Sequence, residues 1–169
     1  IALKRRATDE PQAREVRATA ARKGALGNFE AEYSFGQDDF DCSFSIETAD
    51  GEFYGECGIG VANVLSFAGV QKVDAFELWL FDKSDIRTVS TVLVTPSVAD
   101  DEELLHTLEA KGAIVRAQPG LETVLETPSM RVTATLTECR FADDGALADA
   151  YFAALTVDLL VDRGVGEAD

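Results

Sequence analysis

Phe29-Glu30-Ala31-Glu32-Tyr33-Ser34-Phe35 sets an apolar residue at every odd position and a polar one between, and Phe40-Asp41-Cys42-Ser43-Phe44-Ser45-Ile46-Glu47 repeats the alternation. Successive side chains of a strand point to opposite faces, so a period of two marks strands with one buried and one wet face. Gly36-Gln37-Asp38-Asp39 joins the two runs, and Asp50-Gly51 turns the chain toward 52–57. Gly, Asn and Asp at such junctions supply turn geometry, so the stretch predicts a hairpin meander.

Downstream, residues 73–81 are apolar on nearly both faces, with Phe76, Leu78 and Leu80 opposite Val73, Ala75, Trp79 and Phe81. That composition predicts a central strand covered on both sides. Residues 58–69 fit either a buried loop or a short helix. Asp82-Lys83-Ser84-Asp85 turns into a β-branched run over 86–95, which Pro96 stops. Residues 100–111 predict the main helix: acids fill its first turn, Leu104, Leu105 and Leu108 share a side, and Gly112 follows Lys111. Short strands are expected at 113–117 and 122–126. Met130, Val132, Ala134 and Leu136 alternate again, and residues 151–161 form a last long strand. The fold class is mainly β, a β-rich α+β chain. Its expected shape is an antiparallel β-sandwich or half-barrel with one main covering helix near 100–111. An α+β sheet with one helical face is the second architecture.

Upstream, the character changes. Residues 1–24 hold seven Lys and Arg against three acids, a net +4, while the whole chain of 169 residues carries −16 and the remainder therefore −20. Ile1-Ala2-Leu3-Lys4-Arg5-Arg6 reads as apolar then basic, the order found at the cytoplasmic border of a transmembrane helix. The start at Ile rather than Met suggests a piece of a longer chain. Residues 7–23 have Val16 as their one large apolar residue, so a spacer helix there would lack any stripe to hold it to a core. The expected organisation is a basic spacer or juxtamembrane linker over 1–24, one β-rich domain over 25–163, and a frayed tail over 164–169.

Composition narrows the function classes. An acidic surplus of this size disfavours nucleic acid, whose phosphates are contacted mainly by Lys and Arg. Three cysteines in this length exclude a small disulfide scaffold. Cys42, Cys57 and Cys139 lie inside predicted strands, and with His106 they could make a zinc set only on paper; buried reduced thiols in a cytoplasmic setting are the expectation. His106, the sole histidine, lies off the leucine side of its helix and is expected to face solvent. Gly58-Ile-Gly60-Val-Ala-Asn63 starts like a dinucleotide fingerprint, yet Asn63 stands at the third glycine and no βαβ unit surrounds it.

No nucleophile–base pair or metal set emerges, so no catalytic residue and no cofactor is assigned. The leading expectation is a non-enzymatic interaction or scaffold domain with a protein partner, cytoplasmic and tethered to a membrane through a segment containing Lys4, Arg5 and Arg6. One alternative is a calcium-binding sandwich using Asp38, Asp39, Asp41, Asp82 and Asp85, because carboxylates converging from loops suit Ca²⁺. Residues 76–85 are similar, over those ten positions, to the acidic-loop strand of calcium-dependent membrane-binding sandwiches. The other alternative is a self-assembling homo-oligomer pairing through an edge strand such as 29–35.

Overall fold

The computed structural model describes residues 13–15, 25–37 and 39–164. Two five-stranded sheets face each other. The first contains β1 (Ala13–Glu15), β2 (Ala25–Ser34), β8 (Glu122–Glu126), β9 (Met130–Phe141) and β10 (Phe152–Arg163), in the spatial order β1-β2-β10-β9-β8, all antiparallel. The second contains β3 (Asp41–Glu47), β4 (Phe53–Phe67), β5 (Val70–Asp82), β6 (Arg87–Val94) and β7 (Ala113–Arg116), in sequence order. Its strands are antiparallel except β6 and β7, which run parallel.

The alternation dictates the core. Phe29, Ala31 and Tyr33 of β2 and Cys42, Phe44 and Ile46 of β3 turn inward and are buried, while their polar neighbours stay outside. They meet Met130, Val132, Ala134 and Leu136 of β9 and the apolar face of β10. Phe29 stacks on Phe44 at 4.8 Å, and Tyr33, Phe40 and Phe152 surround Phe76. Each such pair adds about 0.5–1.5 kcal/mol to its area burial.

A parallel neighbour requires a crossover, and the crossover carries the helices. Thr95 caps a single turn, α1 (Pro96–Ala99), by accepting from the Val98 amide, and Pro96 begins that turn. Asp101 caps α2 (Glu102–Leu108) through the Leu104 amide at 3.1 Å. The predicted helix at 100–111 is thus α2, shortened at both ends, because Asp100 and Asp101 form the junction with α1. At the far end Gly112 must pass β6: a Cβ there would lie 2.4 Å from the Ser90 carbonyl oxygen. Val98 and Leu108 cover Ala75, Val92 and Val94 on the outer face of the second sheet. The helices therefore roof the β6 side of that face and leave its β3–β4 side open.

Three expectations need correction. Residues 58–69 are neither loop nor helix; most of them continue β4, whose glycines are small because neighbours fill the space above them. A Cβ at Gly55 would lie 2.6 Å from the Met130 methyl, and one at Gly58 2.4 Å from the Trp79 ring. At Ala13–Glu15 the chain is a strand paired with Glu30 and its neighbours in β2, where a spacer helix was expected. A helix without an apolar stripe gains nothing from a core, whereas a strand at an open sheet edge gains ladder hydrogen bonds. Lys4, Arg5 and Arg6 and the rest of the spacer lie outside the described residues. Gly164 belongs to the fold rather than to a frayed tail, since its amide donates to the Ser129 carbonyl at 2.8 Å. Among the described residues no helix is long and apolar enough to cross a membrane.

Candidate functional site

The acidic residues set aside for calcium separate in the fold. Asp38 lies outside the described residues. Asp41 pairs with Gly60, and Asp82 with Gly55, so their partners are five positions apart along β4. At about 3.3 Å per residue that is roughly 17 Å. Asp85 is engaged with Arg87 at 3.0 Å. Asp82 is closed to solvent, and both its oxygens already accept: Oδ1 from the amide and hydroxyl of Ser84 at 2.9 and 2.7 Å, Oδ2 from the amide and hydroxyl of Ser129. Burial alone would raise its pKa, but the hydrogen bonds from Ser129, Ser84 and Thr127 outweigh burial and hold the carboxyl well below the usual carboxylate range. Asp82 is a latch between the two sheets, not a free ligand. Among the described residues no group of three His, Cys, Asp or Glu side chains is placed to hold a metal ion.

Cys42, Cys57 and Cys139 are buried thiols. Burial pushes Cys57 up to about 12, helped by the neighbouring Glu56 charge, and Cys139 up to about 11, so both stay protonated near neutrality. The His106 side chain is 90% exposed, 3.9 Å from Glu109. Gly58 to Asn63 run through β4, with no helix after them.

The open half of the second sheet holds a different constellation. β3 presents Asp41 and Ser43 outward, and β5 presents Glu77 and Trp79. Register sets Gly60 between Asp41 and Glu77, and Gly58 between Ser43 and Trp79. Two adjacent outward positions without side chains make a trough in the sheet, and the Trp79 ring lies over it. Its Cζ2 would be 2.4 Å from a Cβ at Gly58, and its Cζ3 3.5 Å from one at Gly60. Trp79 Nε1 donates to Glu56 Oε1 at 3.4 Å, and Ser90 Oγ donates to Glu77 Oε2 at 2.8 Å. Glu56 and Glu77 thus flank Trp79 on β4 and β5, and with Asp39 and Asp41 they line a cavity of about 440 Å³.

Four carboxylates share this cavity, and none of them pairs with Lys or Arg among the described residues. The ion pairs of Arg87, Arg131 and Arg140 lie elsewhere. A half-exposed indole beside uncompensated negative charge is suited to a cation, which the ring quadrupole and the carboxylates both attract.

Of the calcium set only Asp39 and Asp41 line this cavity. Sequence reasoning missed Glu56, Glu77 and Trp79. The available signal was the pair of glycines at 58 and 60 beside an acid and a tryptophan spaced by two. No protein-family model, curated protein or solved structure matches the chain.

Proposed function

We propose that the chain is a protein-interaction domain rather than an enzyme, and that its Trp79 trough takes a basic segment of a partner. The carrying observation is the four-carboxylate cavity lined by an indole, with no Lys or Arg among the described residues that line it. Exposed ion pairs contribute about 0.2–1 kcal/mol each and a cation–π contact about 0.5–2 kcal/mol. Two or three carboxylate contacts and one stacked cation would then total about 2–4 kcal/mol, which is millimolar binding for one side chain. Several basic residues along a segment would bring it into the range of a transient interaction. Lys4, Arg5 and Arg6 fit the same reading as a tether, since anionic lipid attracts basic residues at about 1 kcal/mol each.

Trp79 is the only tryptophan of the chain, so its emission reports on the trough alone. Titration with an oligo-arginine peptide at low salt should change that emission saturably, and 0.5 M NaCl should abolish the change. Asp41→Asn with Glu77→Gln should weaken binding at least fivefold while the circular dichroism stays the same. An unaltered emission at millimolar peptide, or equal binding by that double variant, would sink the reading.

A further inference from the structure

The chain carries 31 acids in 169 residues, yet residues 57–73 contain none, the longest such stretch in the sequence. In the fold this stretch is most of β4 and the start of β5. β3 pairs with β4 only as far as Gly60, and β6 pairs with β5 only from Ala75 onward. Beyond those limits residues 64–67 and 70–73 pair only with each other, as a two-stranded hairpin. Ala68 and Gly69 close it with φ of +52° and +76°. Its tip exposes Phe67 by 54%, Val70 by 46% and Val64 by 38%.

The root of the hairpin is fixed. The Lys72 ammonium sits 4.7 Å from the Phe35 ring centre and 4.4 Å from that of Tyr151. Asn63 Nδ2 donates to Asp74 Oδ1 at 2.8 Å. An apolar tip is therefore presented on a rigid base, and it is convex, so it must enter something rather than receive it.

We propose that the tip of the β4–β5 hairpin inserts into the interfacial layer of a lipid bilayer. Three observations favour lipid over a second copy of the chain. The tip is an exposed apolar region with no carboxylate of its own, and charged side chains are what apolar lipid resists. Its pairing of Phe67 with Val70 satisfies backbone groups within the hairpin, as shallow insertion demands. A few side chains at a hairpin end fall well short of the roughly 800 Å² per partner that a stable protein dimer needs, whereas a bilayer sets no minimum area. The acidic body is kept back by about three residue pairs of hairpin, roughly 10 Å, beyond a Debye length of ~8 Å. This inference is independent of the trough.

The test is co-sedimentation of the full chain with vesicles of phosphatidylcholine and phosphatidylserine at 0.1 and 0.5 M NaCl. The chain should bind and stay bound at the higher salt, because apolar insertion is not screened. Phe67→Ser with Val70→Ser should lower partitioning at least tenfold and leave arginine-peptide binding unchanged. Phe67→Trp, compared with the parent chain, should add emission that shifts to the blue with vesicles. Absence of co-sedimentation, binding lost entirely at 0.5 M NaCl, or equal binding by the double serine variant would overturn the proposal. A concentration-dependent dimer that Phe67→Ser dissolves would assign the tip to a second copy instead.

Discussion

Replacing Asp82 tests whether one carboxylate latches the sheets. Its oxygens accept four hydrogen bonds from Ser84 and Ser129, two of them from backbone amides that have no other side-chain partner there. In Asp82→Asn, the amide NH₂ can face Ser129, whose hydroxyl can turn to accept; only the long 3.4 Å bond from the Ser129 amide is then lost outright. That costs about 2 kcal/mol, including the weaker neutral bonds that remain. Asp82→Ala leaves both backbone amides unpartnered beside a small cavity, with the Ser84 and Ser129 hydroxyls keeping only each other at 3.1 Å, for about 4 kcal/mol. At about 2–4 °C per kcal/mol, the alanine variant should melt roughly 8–16 °C below the parent.

The pH dependence has a definite sign. The folded pKa of Asp82 is depressed, so its contribution is present above the unfolded value of about 3.9 and is lost as pH falls from there toward the folded value. At pH 3 the unfolded carboxyl is mostly protonated and the folded one is not, which removes about 1.3 kcal/mol. Urea unfolding of parent and Asp82→Asn at pH 7 and pH 3 should show their difference shrinking by that amount. An alanine variant within 1 kcal/mol of the parent, or a parent–asparagine difference that does not move with pH, would refute the latch.

Other consequences are as direct. Gly58→Ala puts a Cβ 2.3 Å from the Cys42 carbonyl and 2.4 Å from the Trp79 ring, so it should destabilise by about 2 kcal/mol and alter Trp79 emission. Ile86 is 83% exposed with φ of +46°, a left-handed conformation that costs an L-residue about 1–2 kcal/mol; Ile86→Asn should raise the melting temperature by a few degrees. Cys57 and Cys139 should resist a thiol reagent at pH 8 in the folded chain and react fully in denaturant, and fast native reaction of either would contradict their burial.

The alternation over 29–47 was enough to define β2 and β3, and the short strand at 122–126 matched β8 to the residue. Periodicity is a local signal, and these elements are locally determined. What escaped depends on contacts between distant segments. Gly58 and Gly60 look like loop residues until Trp79 is seen above them. Asp82 looks like a turn acid until Ser129, 47 positions away, donates to it. The strand at 113–117 was legible, but its parallel pairing with β6 follows from where α1 and α2 lie down, which no residue of that strand encodes. β2 is paired on both sides only over Phe29–Ala31, with β1 and β10, while Glu32–Ser34 pair with β10 alone, a division that no pattern within 29–35 announces.

The two sheets differ in how their strands are drawn from the chain. The second is one unbroken segment from Asp41 to Arg116, while the first joins strands that precede and follow that segment, with Ala31 of β2 opposite Val157 of β10. During synthesis β2 emerges well before β10, its neighbour on that side, which follows by more than a hundred residues. Until then Phe29, Ala31 and Tyr33 lack the sheet that buries them, and distant pairing of this kind is slow to form. The glutamates at 30 and 32 face outward throughout that interval, and their charge discourages premature pairing with other nascent chains.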